Sequence, residues 1–165
     1  ISDKVKELAN RISRDYKDKN LLVVGVLKGS VLYAAELIKN ITVPCEIDFM
    51  AVSSYGNSTE TSGVVRILKD LDHSIEGKDI LIVEDIVDSG VTLDYLLKYL
   101  KARKANSINI TTLLNKEARR KVDIDVKYVG FEVPDEFIVG YGIDYAEKYR
   151  NLPFIGILKP EVYER

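Results

Sequence analysis

The chain has 165 residues, 46% of them hydrophobic and 30% charged, which suits one folded domain with its own core. Its net charge of −2 and pI of about 5.6 exclude the overall basic footprint of a nucleic-acid-binding domain. One cysteine and one histidine exclude a zinc site built from such side chains. No apolar run reaches the roughly 18 residues of a membrane span and no signal peptide is visible, so we expect a cytoplasmic protein.

The hydrophobic pattern predicts helices and strands that alternate along most of the chain. Residues 1–18 carry apolar side chains at helical spacing and predict the first helix. Short apolar runs between turn residues predict strands. In chain order we expect that helix, a strand at 21–27, a helix at 30–39, strands at 46–53, 64–70 and from 80, a helix at 91–102, and strands at 108–114, 127–133, 137–141 and 152–158.

Strands that alternate with helices predict an α/β fold, with a parallel sheet and right-handed crossovers. The last third of the chain breaks this alternation, so we expect it to fold back above the sheet as a small hood. The prediction is one domain over residues 1–165, with a core of about 18–125 and a hood made from the N-terminal helix and about 126–165. The polar segment 54–63 lacks periodicity and predicts a mobile loop.

The strongest chemical signal runs from Ile80 to Thr92. Its apolar start predicts a central strand, and Glu84 and Asp85 are expected at the carboxyl end of that strand, where open α/β sheets bind ligands. The residues that follow, 88–92, supply backbone N–H groups, two hydroxyls and a helix N-terminus, which suit a phosphate. Acids and hydroxyls also cap helices without any ligand. Two carboxylates beside a phosphate cradle, however, favour a ribose diol or a magnesium ion between them.

This segment, with Ile86 and Val87 between its acids, resembles the phosphoribosyl-pyrophosphate motif of type I phosphoribosyltransferases, the hypoxanthine-guanine enzymes in particular. The stretch from Val133 to Tyr145 resembles their hood segment. The resemblance implies a Rossmann-like parallel sheet flanked by helices. It also implies Mg²⁺-dependent transfer of the phosphoribosyl group from phosphoribosyl pyrophosphate to N9 of hypoxanthine or guanine, giving IMP or GMP and pyrophosphate. Homodimers or homotetramers are common in the family.

The resemblance assigns the phosphoribosyl side of the site. The residues expected at the 5′-phosphate are Asp88, Ser89, Gly90, Val91 and Thr92. Glu84 and Asp85 are expected at the ribose hydroxyls and their magnesium ion, and Asp144 at a magnesium ion bound to pyrophosphate. Asp88 is expected to be the general base for the purine N7 proton, although a purely electrostatic role fits the sequence equally well.

Three segments are expected to meet pyrophosphate or to cover the site. Lys28 and Gly29 look like the family's pyrophosphate loop, which contains a non-proline cis peptide before the lysine. Arg150 is expected to contact pyrophosphate oxygens. Ser54 and Tyr55 start the 54–63 loop, which the resemblance suggests closes over the site during turnover.

The purine is assigned to Lys116, Phe137 and Ile138. Lys116 is expected to donate to the exocyclic oxygen at C6, which favours 6-oxopurines over adenine. Phe137 would stack on the base and the backbone of Ile138 would bond its edge. Read alone, Lys116 is a surface lysine and Phe137 a core residue. One alternative is a phosphoribosyltransferase that prefers xanthine or a pyrimidine. The other is a regulator that senses phosphoribosyl pyrophosphate and binds nucleic acid through the basic cluster at 116–121.

Overall fold

The computed structural model describes residues 1–54 and 65–164, and the predicted alternation becomes two sheets with flanking helices. The strands are β1 (Leu21–Leu27), β2 (Glu46–Ser54), β3 (Val65–Lys69), β4 (Asp79–Val87), β5 (Ser107–Asn115), β6 (Tyr128–Glu132), β7 (Ile138–Val139) and β8 (Gly156–Ile157). The helices are α1 (Ser2–Asp15), α2 (Val31–Asn40), α3 (Val91–Lys101) and α4 (Pro160–Tyr163), with a short 3-10 helix at Glu117–Arg119. Among the described residues, the longest helix is too short to cross a membrane.

The large sheet has the strand order β3-β2-β1-β4-β5-β6. All its pairs are parallel except β2–β3, which is antiparallel. The chain leaves β1 toward one edge of the sheet and leaves β4 toward the other. The carboxyl ends of β1 and β4 therefore flank a topological switch point, the place where open α/β sheets hold ligands.

Two hydrophobic clusters cover the two faces of this sheet. One cluster joins α1 and α2 to one face, and the other joins α3 to the opposite face. Strand β1 is buried along almost its whole length because both faces are covered, which explains its continuous apolar sequence. The strand ends are thereby fixed in space, and the loops that follow them are placed at one edge.

Three features differ from the sequence-based expectation. Strand β3 runs antiparallel, because it returns directly beside β2. Strand β4 continues to Val87, so Glu84 and Asp85 lie within its paired region, with Glu84 opposite Thr112 of β5, and not beyond the strand. The strands expected at 137–141 and 152–158 shrink to β7 and β8, since Gly140 and Tyr141 adopt positive φ values of 98° and 49° that end the extended backbone.

The residues after β6 carry the second, smaller sheet, and this part of the chain is called the hood below. Strand β6 pairs with β5 and belongs to the large sheet, so the smaller unit begins after Glu132. It contains the β7–β8 pair and α4, a helix that the sequence did not predict. The 55–63 part of the expected loop, including Tyr55, lies outside the described residues, and Ser54 is described only as the last residue of β2.

Candidate active site

Two neighbouring cavities open at the carboxyl edge of the large sheet. The first, of about 240 Å³, lies at the ends of β1 and β4 and includes the whole predicted phosphate segment except Val91 in its lining. The second, of about 320 Å³, lies between β4, the residues after β5 and the hood. Ile86 and Asp88 line both cavities. The two spaces therefore meet at one carboxylate.

The phosphate segment is a tight turn between β4 and α3. Gly90 precedes the helix with φ 83°, a left-handed conformation that glycine adopts without steric strain because it has no Cβ. Ser89 Oγ accepts a hydrogen bond from the Val91 N–H over 3.4 Å. Arg120 donates through Nε to the Asp88 carbonyl at 3.0 Å, and the Lys121 N–H donates to the Ser89 carbonyl at 2.9 Å. The neighbouring loop thus holds this turn open toward the first cavity, at a helix N-terminus that favours anions.

The two adjacent carboxylates, Glu84 and Asp85, are both partly buried in the wall of the first cavity. Loss of hydration raises the pKa of Glu84 well above its usual value, and the charge of Asp85 raises it further. Burial also raises the pKa of Asp85 to about 6, although its Oδ1 accepts the Ile86 N–H over 2.6 Å. A bound cation would favour the charged forms of both carboxylates and would lower their pKa values.

The loop after β1 comes very close to this pair. The Leu27–Lys28 peptide bond is cis, as the resemblance predicts. A Cβ on Gly29 would lie 2.0 Å from Asp85 Oδ2, so any side chain there would displace the carboxylate. Glycine at this position therefore lets the backbone approach Asp85 in the lining of the first cavity.

An ion-pair network links that loop to the hood. Lys28 Nζ donates to Glu147 Oε2 at 3.0 Å, and Arg150 Nη2 lies 3.3 Å from the other oxygen of Glu147 and 3.4 Å from Asp144 Oδ1. Arg150 Nη1 donates to the Gly142 carbonyl at 2.8 Å. Lys28, Arg150 and Asp144, predicted at pyrophosphate or its metal, are thus brought together. Glu147, which no sequence motif indicated, engages both Lys28 and Arg150.

Lys116 points into the second cavity although it is almost fully buried. Its N–H donates to the Val87 carbonyl at 2.9 Å, which continues the β4–β5 pairing and fixes the start of its side chain. Its Nζ donates to the Glu136 carbonyl at 2.8 Å and lies 3.8 Å from Asp88 Oδ2. An ammonium has three N–H donors, and among the described residues the only hydrogen bond from Lys116 Nζ goes to the Glu136 carbonyl, so N–H donors are available to a ligand acceptor.

Phe137 and Ile138 form the hood side of the same cavity. Ile138 is buried and pairs with Ile157 in the small sheet, whereas Phe137 is 39% exposed. Ile86 lines the same cavity, and apolar lining residues suit a flat ring. Six further residues line this cavity without having been predicted as site residues from the sequence: Ile86, Arg119, Asp135, Glu136, Ile143 and Tyr163.

Asp88 occupies the junction of the two cavities. Its Oδ1 is buried and has no hydrogen-bond partner among the described residues, whereas Oδ2 faces Lys116. A buried carboxylate oxygen without a donor is costly, and a ligand N–H would satisfy it.

The acidic side chains fit a magnesium ion that shares its shell with phosphates. Within residues 1–54 and 65–164, no three acidic, histidine or cysteine side chains converge into a ready-made metal cage. Mg²⁺ commonly uses one or two carboxylates and fills its remaining positions with water and substrate phosphates. Asp85 and Asp144 are close enough for the charge of Asp144 to raise the pKa of Asp85.

Comparisons with known proteins identify the fold and its family. A family model described as the phosphoribosyl transferase domain matches residues 1–146. The chain is 60% identical over 164 residues to the hypoxanthine-guanine phosphoribosyltransferase of Bacillus subtilis, covering 99% of this chain and 91% of that protein. It is 55% identical over 163 residues to the bifunctional protein TilS/HprT of Listeria monocytogenes, covering 99% of this chain and 25% of that protein.

A solved structure agrees with these matches. The crystal structure of a hypoxanthine phosphoribosyltransferase from Staphylococcus aureus superposes with a TM-score of 0.96 at 54% identity, covering 99% of this chain and 89% of that one. The predicted α/β fold, with its mostly parallel sheet flanked by helices, is therefore confirmed. The chain belongs to the phosphoribosyltransferase family, within its hypoxanthine-guanine group.

Proposed function

We propose that this chain is a purine salvage enzyme that moves the 5-phosphoribosyl group from phosphoribosyl pyrophosphate to N9 of hypoxanthine or guanine. The products are IMP or GMP and pyrophosphate. The observation that carries this proposal is that a cavity with an anion cradle and a cavity with apolar walls and a buried lysine share Asp88. A phosphorylated sugar and a flat base bound in them would meet where the new bond forms.

The first cavity is proposed to hold the phosphoribosyl group. The turn at 88–92 would bind the 5′-phosphate through its N–H groups, its two hydroxyls and the N-terminus of α3, with Arg120 holding the turn in shape. Glu84 and Asp85 would face the ribose hydroxyls. Lys28, Gly29 and Arg150 would receive the pyrophosphate, which requires the cations to leave Glu147.

Phosphoribosyltransferases use phosphoribosyl pyrophosphate together with a metal ion, and for this chain we propose Mg²⁺. Glu84, Asp85 and Asp144 would hold it, and the raised pKa values of Glu84 and Asp85 support a bound cation there. When bound, the ion neutralises charge on the departing pyrophosphate.

The second cavity is proposed to hold the purine between Ile86 and Phe137, with the backbone of Ile138 at its edge. Lys116 would donate an N–H of its ammonium group to the oxygen at C6. Adenine carries an amino group at C6 and cannot accept this bond, so a buried lysine here selects 6-oxopurines.

The reaction is proposed to proceed by attack of N9 on C1′ with loss of pyrophosphate and inversion at that carbon. Positive charge develops on the sugar, so the protein contributes mainly by positioning the reactants and placing charge. Asp88 is proposed to accept the N7 proton as N9 attacks, and its unpartnered Oδ1 supports this role. A carboxylate that only stabilises charge remains the second possibility.

The test is a spectrophotometric assay in which hypoxanthine, guanine, xanthine, adenine, uracil and orotate are offered in parallel with phosphoribosyl pyrophosphate and Mg²⁺. We expect turnover with hypoxanthine or guanine, loss of turnover with a chelator, and none with adenine. Preferential turnover of xanthine would support the xanthine-preferring alternative. Binding of phosphoribosyl pyrophosphate without any turnover would instead support the nucleic-acid-binding regulator.

The internal contacts of the basic cluster argue against that regulator. Lys116 is buried and engages Asp88, Arg119 Nε pairs with Asp135 at 2.7 Å, and Arg120 holds the phosphate turn. Three of the four basic side chains of the cluster therefore already engage groups of the protein itself, whereas Lys121 is exposed. We propose further that the enzyme acts in the cytoplasm as a homodimer or homotetramer, and light scattering after size-exclusion chromatography tests the assembly.

A further inference from the structure

The last helix brings an aromatic side chain to the purine cavity that none of the roles above uses. The ring of Tyr163, in α4, stacks on the ring of Phe137, with centroids 5.0 Å apart and planes 25° apart. Tyr145 meets Phe137 edge-on, with centroids 5.3 Å apart and planes at 84°. Both separations lie in the range that aromatic pairs prefer. Phe137 therefore has two aromatic partners before any base is bound.

Backbone hydrogen bonds determine where Tyr163 lies. Strands β7 and β8 pair antiparallel, and the Leu158 N–H donates to the Phe137 carbonyl at 2.7 Å. The chain enters α4 two residues later, at Pro160, whose fixed φ suits the start of a helix. Phe137 and Tyr163 are thus carried by segments that are tied to each other.

Tyr163 is also part of the wall of the purine cavity, together with Ile86, Lys116 and Phe137. A base that stacks on Phe137 needs that ring in one orientation. Phe137 is 39% exposed, so without a neighbouring ring it would sample several orientations. Ordering such a side chain on binding weakens affinity, and a partner that orders it beforehand removes this cost.

We propose that Tyr163 is a positioning residue of the purine site: it holds the Phe137 ring in the plane on which the base stacks. This inference rests on the proposed function. Because Tyr163 acts on the base through Phe137, it governs purine binding and leaves the phosphoribosyl side of the site unchanged.

Three substitutions of Tyr163 test the inference. Tyr163→Phe keeps the stacked ring, Tyr163→Leu keeps apolar volume without an aromatic face, and Tyr163→Ala removes both. We expect the KM for hypoxanthine to rise about 3- to 10-fold in the leucine and alanine variants and to stay within about twofold in the phenylalanine variant. The KM for phosphoribosyl pyrophosphate and kcat should stay within about twofold in all three.

A matched control comes from another stacked tyrosine pair. Tyr95 and Tyr99 stack on α3 with centroids 6.4 Å apart and planes 14° apart, and neither lines the two cavities. Tyr95→Ala should leave the KM values of both substrates unchanged. This control separates the effect of losing the Tyr163–Phe137 stack from the effect of losing any aromatic pair.

An unchanged KM for hypoxanthine in Tyr163→Ala would overturn the inference. A lower KM would also overturn it, because it would mean that the tyrosine competes with the base. If circular dichroism shows that the alanine variant is unfolded, the leucine and phenylalanine variants decide the question in the same way. A wild-type protein that makes no nucleotide from any base would refute the proposed function itself, a result distinct from both.

Discussion

Replacing Asp85 by asparagine should stabilise the ligand-free protein, because burial disfavours the charged form of the native carboxylate. The pKa of Asp85 is raised from 3.8 to about 6 by burial, with a further contribution from the charge of Asp144. At 1.36 kcal/mol per pKa unit, this shift corresponds to about 3 kcal/mol. Solvent screening of a partly buried group reduces the expected gain to about 1–2 kcal/mol at pH 7.5. Asparagine can still accept the Ile86 N–H.

The direction of the pKa shift determines how the stability difference between the two proteins varies with pH. The folded-state pKa of Asp85 lies above its unfolded value, so the folded protein binds this proton more tightly. The wild type therefore loses stability relative to Asp85→Asn as the pH rises from about 4 to about 6, and the difference is fully developed above that range. Urea unfolding in the presence of EDTA, at pH values from 4 to 8, measures the difference directly.

A control lies at the other end of the same strand. Burial would raise the pKa of Asp79, but hydrogen bonds from Ser107, Asn106 and the Asn20 N–H outweigh it and lower the pKa. Its contribution to stability is present above the unfolded pKa and is lost as the pH falls through the folded pKa. Asp79→Asn should therefore destabilise at pH 7.5, the opposite sign. If Asp85→Asn is no more stable than the wild type at pH 7.5, or if the difference does not change with pH, the electrostatic reasoning is wrong.

Three further substitutions test individual roles. Asp88→Asn should lower kcat by about 10²–10⁴ if the carboxylate is the general base, and a loss below about tenfold would remove it from that role. Lys116→Gln should raise the KM for hypoxanthine and weaken the preference for 6-oxopurines over adenine, whereas unchanged selectivity would mean that the lysine does not contact the base. Glu147→Gln removes the carboxylate that engages Lys28 and Arg150 and should strengthen inhibition by pyrophosphate about two- to fivefold. Weaker inhibition would instead show that Glu147 positions these cations for the ligand.

The part of the site that is contiguous in the sequence is the easiest to predict. The turn from Glu84 to Thr92 is one contiguous stretch, so its acids, its glycine and the helix that follows can be located from local rules for strands, turns and helix N-termini. Lys116 could be placed because it follows a strand of the same parallel sheet. The cis peptide at Leu27–Lys28 was expected only from the family resemblance, since no propensity rule predicts it.

What could not be predicted depends on contacts between distant segments. The antiparallel direction of β3 is set by its pairing with β2, and the hydrophobic pattern is the same for either direction. The contact between Gly29 and Asp85 and the pairing of Lys28 with Glu147 join residues far apart in the chain. Tyr163 belongs to a four-residue helix that is too short to show helical periodicity, and only the fold brings it to Phe137.

The central claim is that the two cavities act as one site in which a base displaces pyrophosphate from the sugar. The most direct measurement is ³¹P NMR of the wild-type protein incubated with phosphoribosyl pyrophosphate, hypoxanthine and Mg²⁺, with a matched sample that lacks the base. We predict that IMP and pyrophosphate appear in equal amounts as phosphoribosyl pyrophosphate disappears, and that little is consumed without hypoxanthine. Consumption at the same rate without the base, or no IMP at all, would contradict the account.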